Sequence, residues 1–109
     1  MIAVPVSPEL DPVIQPILRT KIMATLCAVN AVPNDKEMKF SRLRELVDCS
    51  EASLSKQLGV LEKEGYITRM REYGSSRAKD TVWVSLTEKG QQQYKNHVAA
   101  LKTLLDQGC

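Results

Sequence analysis

Two groups of polar and cationic side chains in this sequence have the chemistry of a nucleic-acid surface. The first lies in residues 50–64, SEASLSKQLGVLEKE, whose leucines recur every three or four positions. At about 100° per residue, a helix that buries those leucines presents a polar face on its opposite side. That face contains Ala52, Ser53, Lys56 and Lys63, with Gln57 on its flank. Short or hydrogen-bonding side chains suit contact with base edges, because bulk would hold the backbone off the groove; a solvated face on a helical core is the alternative.

The second group lies at the tip of a predicted hairpin. Residues 66–71 and 81–86 alternate apolar and polar positions, and turn residues fill the segment between them. Residues 69–79 hold four cations, Arg69, Arg71, Arg77 and Lys79, against the single acid Glu72. Beside a helix that enters a groove, such a tip can follow the phosphates or place an arginine in the minor groove. On its own, it is typical of an ordinary soluble hairpin.

Two short helices are predicted before the hairpin. The first is capped by Ser41 and turns three apolar side chains inward, those of Leu43, Leu46 and Val47. Residues 48–50 form a tight connector. The second helix is capped by Ser50 and ends at Gly65. Two short helices joined in this way form a helix-turn-helix unit.

Longer helices are predicted at the two ends of the chain. The first begins at Asp11 as N-cap, and its apolar stripe is wide enough to bury two faces. This stripe contains Ile14, Leu18, Ile22, Leu26 and Val29. The last helix follows Thr87, its predicted cap, and has an apolar seam with coiled-coil-like spacing. The seam, formed by Tyr94, Val98, Leu101 and Leu105, is expected to pack on a second copy and on the first helix; a cap within its own domain is the alternative.

Length and composition limit the other possibilities. We expect one domain over residues 1–109, with an extended arm over residues 1–10, because 109 residues suffice for one core but not two. A hydrophobic content of 43% and a net charge of +2 indicate a globular protein with, at most, a local basic patch. No apolar run approaches the roughly 20 residues of a membrane span. With three widely spaced cysteines and no signal sequence, the expected location is the cytoplasm.

The segment SLSKQLGVLEKEGYI, followed by VSLTEKG, resembles the corresponding run in the MarR and ArsR superfamily of small bacterial and archaeal transcription regulators. The resemblance covers roughly residues 13–105. It implies an α+β, mainly α fold: a winged helix-turn-helix with a two- to three-stranded antiparallel wing and terminal dimerisation helices, the last over residues 87–105. It also implies a homodimer that binds a near-palindromic operator in double-stranded DNA and usually represses.

The resemblance further implies roles for individual residues. It implies that Ser53, Lys56 and Gln57 contact bases in the major groove and that Arg77 and Lys79 contact DNA from the wing. Arg42 and Arg69 are further candidates for contacts with the DNA backbone. The implied dimer interface contains Ile14, Leu18, Tyr94, Val98, Leu101 and Leu105.

Other chemistry is not expected. The sequence has no glycine-rich phosphate loop, no His-Glu-x-x-His and no Gly-x-Ser-x-Gly, so neither an enzyme nor a cofactor is predicted. The segment LRELVDCSE offers only Cys49 where ArsR-type sensors carry a Cys-x-Cys pair, so no metal site is predicted. The chain is shorter than typical MarR members with a ligand pocket, which argues against a small-molecule effector. His97 is assigned to packing or hydrogen bonding at the dimer seam, with pH sensing or metal binding as the alternative. Cys49 is assigned to a buried turn, with a redox switch as its alternative.

One alternative function uses the same fold. A winged helix-turn-helix can bind protein instead of DNA, because a fold does not determine function. Outward cations at Lys56 and Lys63 and a positive hairpin tip favour DNA, whereas acidic or apolar residues there would favour a protein partner.

Overall fold

The structure is a computed structural model that describes residues 9–30, 37–76 and 80–107. Its helices and strands, in chain order, are α1 Ile17–Asn30, β1 Glu37–Lys39, α2 Phe40–Val47, α3 Glu51–Lys63, β2 Ile67–Glu72, β3 Thr81–Leu86 and α4 Glu88–Gln107. The fold is mainly helical with one antiparallel sheet, as predicted. Residues 1–8 of the predicted N-terminal arm lie outside the described residues.

The first helix begins later than predicted. Asp11 starts a turn instead, in which its carbonyl oxygen accepts from the Ile14 and Gln15 amides at 3.0 and 2.8 Å. Its carboxylate Oδ1 accepts from the Val13 amide at 2.8 Å. A residue before proline is disfavoured in the helical region, so Gln15 separates this turn from the helix that follows Pro16. Ile14 consequently lies buried in the core of its own chain, and not at the dimer interface that was predicted for it.

The helix-turn-helix has the predicted elements with two corrections. α2 begins at Phe40, after Lys39 at the N-cap without a side-chain hydrogen bond, so Ser41 is not its cap. Leu46 is 47% exposed and does not face inward. It lies about 100° around the helix from Val47, which with Leu43 fills the buried side of α2.

The predicted ends of α3 and the start of α4 are confirmed. Ser50 Oγ accepts from the Ser53 amide at 3.1 Å at the start of α3. Gly65 follows its end with φ of +83°, a conformation that favours glycine. Thr87 Oγ1 accepts from the Gly90 amide at 2.9 Å and caps α4.

The sheet has the order β1-β3-β2, with both pairs antiparallel. Ile67, Val84 and Leu86 are buried on the face that packs against the helices. Trp83 projects from the other face, because side chains alternate along a strand. There it pairs with Met70 on β2 and with Lys39 on β1, whose Nζ lies 5.7 Å from the indole centroid. In the described part of the chain, no helix is long and apolar enough to cross a membrane.

Gly90 is required where α4 meets the end of α3. A Cβ atom at this position would overlap the carbonyl oxygen of Tyr66. We expect Gly90→Ala to lower the free energy of unfolding by roughly 2–4 kcal/mol in urea denaturation, because backbone must move to make room. Gly59→Ala is the matched control: its Cβ would meet nothing closer than 3.9 Å, inside α3. It should raise the free energy of unfolding by about 0.5–1 kcal/mol, and equal effects of the two changes would contradict this packing.

Candidate nucleic-acid interface

The outward face of α3 is set by burial of its other side. Leu54, Leu58 and Leu61 are fully buried in the core. The residues expected on the opposite side, Ala52, Ser53, Lys56 and Lys63, are all exposed. Glu51 in the first turn and Lys63 in the last complement the helix dipole. The structure therefore presents a polar surface with small residues near the N-terminus and cations farther along.

Gln57 lies on the flank of this surface and is half-buried. Its Oε1 accepts a hydrogen bond from Arg19 Nη1 on α1 at 2.9 Å. Arg19 Nε in turn donates to the Val13 carbonyl at 2.6 Å. Sequence reasoning missed Arg19, because a contact between residues 38 positions apart leaves no periodic signal.

The other flank of α3 is joined to the hairpin by an ion pair. Arg69 Nη2 on β2 lies 2.8 Å from Glu62 Oε1 on α3, and both side chains are only partly exposed. The pair is a direct contact between α3 and the hairpin. A DNA contact by Arg69, as predicted, would have to share this guanidinium with Glu62. Arg42, the other predicted backbone contact, is largely exposed and pairs loosely with Glu45 at 3.3 Å.

The wing is described except for residues 77–79. Arg77 and Lys79, the two predicted wing contacts, lie outside the described residues. At the base of the tip, Asp80 Oδ1 accepts from the Gly74 amide at 2.9 Å.

A cleft of about 650 Å³ separates the hairpin from the starts of α2 and α3. Two cations line it together with the acids Glu51 and Asp80: Lys39, which sequence reasoning did not assign to the site, and Arg71, one of the four hairpin cations. Arg71 stands two residues from Arg69 and so shares its face of β2. The cleft contains side chains of both charges, and it is open to solvent between the hairpin and α3.

The C-terminal end of α3 is held by a set of hydrogen bonds. Thr87 Oγ1 donates to the Gly65 carbonyl at 2.7 Å, and Lys89 Nζ donates to the Glu64 carbonyl at 3.0 Å. The Lys89 ammonium also lies 5.6 Å from the centroid of the Tyr66 ring. These contacts join the start of α4 to the end of α3.

Beneath this junction, three buried polar residues form a chain. Tyr66 donates its hydroxyl hydrogen to Asp11 Oδ2 at 2.6 Å, and the Asp11 amide donates to His97 Nδ1 at 2.8 Å. Burial, followed by the hydrogen bond to the Asp11 carboxylate, raises the pKa of Tyr66 well above its usual range. His97 is therefore buried inside its own chain and is not at a dimer seam, contrary to the prediction. The chain connects the residues before α1, the start of β2 and α4.

The predicted seam on α4 divides into two parts. Tyr94 is half-buried against the core, and burial raises the pKa of its hydroxyl; Leu18 is similarly packed. Farther along, the seam is open: Val98, Leu101, Leu104 and Leu105 are 41%, 37%, 53% and 64% exposed. Every described residue after Ala100 is exposed. The last two turns of α4 thus extend beyond the core of the chain.

Metal ligands do not cluster in this surface. Among residues 9–30, 37–76 and 80–107, no three His, Cys, Asp or Glu side chains stand close enough to hold a metal ion. Cys49 is half-buried in the turn before α3, packed against the core.

Comparison with known proteins identifies the domain. The sequence model of the family described as winged helix DNA-binding domain matches residues 18–105. No curated protein matches the sequence.

Several solved structures share the fold. A transcriptional regulator homologue from Pyrococcus horikoshii OT3 aligns with a TM-score of 0.74 at 20% identity, over 86% of this chain and 85% of that one. NadR in complex with 4-hydroxyphenylacetate aligns at 0.65 and 20% identity, over 87% of this chain and 64% of NadR. Reduced AbfR bound to DNA aligns at 0.62 and 23% identity, over 77% of this chain and 52% of AbfR. The chain therefore spans only about half to two thirds of the latter two proteins.

The Tyr66–Asp11 hydrogen bond should contribute measurably to stability. Tyr66→Phe leaves a buried carboxylate oxygen without its donor, and we expect a loss of about 1–3 kcal/mol at pH 7 in urea denaturation. Because the pKa of Tyr66 is raised on folding, its contribution is complete below about pH 10 and declines as the pH rises further. The difference between parent and variant should accordingly narrow above pH 10.

Tyr94→Phe is the matched control, since the Tyr94 hydroxyl has no hydrogen-bond partner among the described residues. At pH 7 it should change stability by less than about 1 kcal/mol. A Tyr66→Phe variant as stable as this control would show that the bond does not hold the junction together.

Proposed function

The chain belongs to the winged helix DNA-binding domain family, and we propose that it is a homodimeric transcription regulator that binds a specific double-stranded DNA operator and represses by occupying it. The observation that carries the proposal is the exposed polar face of α3 opposite three fully buried leucines. A helix with this distribution can enter a major groove without bulky side chains holding it away. The structure of AbfR bound to DNA, which shares this fold, supports the assignment.

The DNA contacts are proposed for distinct parts of the surface. Ser53, Lys56 and Gln57 read the major groove, while Arg77 and Lys79 at the wing tip follow the phosphates or enter the minor groove. Arg42, exposed at the start of α2, contacts the backbone. Arg69 has the lesser role, because Glu62 already compensates its charge.

Dimerisation is proposed through the open part of α4. Four apolar side chains along its last turns are substantially exposed in the single chain, and such a stripe is stabilised when a second copy covers it. For two copies of α3 to enter successive major grooves, the twofold axis must hold them about 34 Å apart. Leu18 and Tyr94, half-buried in the single chain, lie at the edge of this interface.

A lysine on the DNA-facing surface should affect the salt dependence of binding. For Lys56→Ala, we expect the slope of log affinity against log salt concentration to fall by about one unit, because one cation no longer displaces counterions. The measurement is a fluorescence-polarisation titration of duplex DNA at several salt concentrations. Lys95→Ala removes the same charge from an exposed position on α4 and should leave the slope unchanged.

The outcomes of this titration separate the candidate functions. An unchanged slope for Lys56→Ala would remove Lys56 from the interface. Failure of the parent protein to bind any duplex at low salt would instead favour a protein-binding module.

Charges placed in the α4 stripe should prevent dimerisation. Leu101→Glu with Leu105→Glu replaces two apolar contacts, each worth roughly 1.5–3 kcal/mol when fully buried, with acids facing their own copies. We expect light scattering to show a dimer for the parent at micromolar concentration and a monomer for the variant. Leu46→Glu makes a comparable change at an exposed leucine on α2 and should remain a dimer. A dimeric double variant would place the interface elsewhere.

A further inference from the structure

Arg19 determines which atoms Gln57 can offer to a base. Arginine has only hydrogen-bond donors, so the Gln57 atom that faces it must be the amide oxygen. The 2.9 Å bond from Arg19 Nη1 engages that oxygen, and the 2.6 Å bond to the Val13 carbonyl holds Arg19 in place. Because oxygen and nitrogen branch in different directions from the same carbon, the oxygen that turns towards α1 leaves Nε2 turned away from it.

The nitrogen of Gln57 reaches solvent. Within the described residues, no buried side-chain nitrogen or oxygen lacks a hydrogen-bond partner. Nε2 of Gln57 makes no hydrogen bond to another described residue, whereas its oxygen does. Nε2 is therefore not enclosed, and it lies on the flank of the same helix face that carries Ser53 and Lys56.

This arrangement changes the base that glutamine selects. A glutamine free to use both atoms matches adenine, which offers an acceptor at N7 and a donor at N6. A glutamine that offers only N–H donors matches guanine, whose groove edge has acceptors at both N7 and O6. The second lone pair of Oε1 stays open, but an adenine amino group that used it would lie beside the Arg19 guanidinium, and the two sets of donors would repel each other.

We infer that Arg19 is a positioning residue that makes Gln57 a donor-only reader, and that Gln57 selects guanine at its position in the operator. The inference rests on the proposed DNA-binding function and deepens it, because it names the base and the residue that sets the choice. Arg19 acts from α1 and needs no contact with DNA itself.

The test begins with selection of bound duplexes from a random pool by the parent protein and by Gln57→Ala. The base pair whose preference is lost in Gln57→Ala is the one that Gln57 reads. We expect guanine there in the parent, favoured over adenine by roughly 5- to 100-fold. Replacing that guanine by 7-deazaguanine, which lacks the N7 acceptor, should weaken parent binding several-fold and leave Gln57→Ala unaffected.

Two further variants change the donor pattern. Arg19→Met releases the Gln57 oxygen and should shift the preference at this position from guanine to adenine. Lys21→Met, which removes a charge from an exposed position on the same helix, should keep guanine. Gln57→Glu retains the pairing with Arg19 but presents an acceptor, so it should favour cytosine, whose edge offers an N4 donor. This variant tests whether position 57 reads the base, and the preference of the parent for guanine over adenine tests the donor-only role of Gln57 even if Arg19→Met does not fold.

The outcomes distinguish the role of Arg19 from the proposed DNA-binding function on which it rests. An adenine preference in the parent, equal binding of 7-deazaguanine, or an unchanged preference in a folded Arg19→Met variant would overturn the role of Arg19 while leaving DNA binding intact. A parent protein that enriches no sequence from the pool would overturn the sequence-specific function itself.

Discussion

Burial of Leu54, Leu58 and Leu61 is the constraint on which the rest of the surface depends. These three side chains are fully buried, and together they permit one rotation of α3 about its axis. A rotation by one residue, about 100°, would expose a leucine and bury a lysine. Removing an unpaired charge from water costs far more than a leucine gains, so the polar face points outward with little tolerance.

The polar contacts around α3 then determine how the helix sits in the domain. On one flank, Glu62 pairs with Arg69 of the hairpin; on the other, Gln57 accepts from Arg19 of α1. At the C-terminal end, the Tyr66–Asp11–His97 chain joins three parts of the fold. Because buried polar groups must find partners, the Tyr66–Asp11–His97 chain in particular favours one packing of α4 against the start of β2. The same contacts engage the Gln57 amide oxygen and the Arg69 guanidinium, two groups that the sequence alone suggests are available for DNA.

Much of the exposed apolar surface among the described residues lies at the C-terminal end of α4. The core closes around α1, α2, α3 and the sheet, with Tyr94 and His97 of α4 packed against it. Beyond Ala100 the helix continues with leucines exposed. The part of α4 near the core thus packs within the domain, and the part beyond it is the surface proposed for a second copy. Both parts belong to one continuous helix. In a dimer formed through α4, the position of that helix would therefore determine where the two copies of α3 lie.

The sequence by itself determined the order of the helices and the hairpin, the helix-turn-helix, the caps at Ser50 and Thr87, the end of α3 at Gly65 and the outward face of α3. These features follow from local rules, since helical periodicity, N-cap chemistry and the left-handed preference of glycine act over a few residues. Only the tertiary structure decided that Ile14 and His97 are internal, that Leu46 is exposed, and that Arg69 and Gln57 are engaged by Glu62 and Arg19. The partners in the polar contacts lie 7, 38 and 86 residues away and in other elements, so the pattern within one helix or strand does not reveal them. A side chain's type and spacing show what it can bond, whereas its neighbours in space decide which of those bonds it makes.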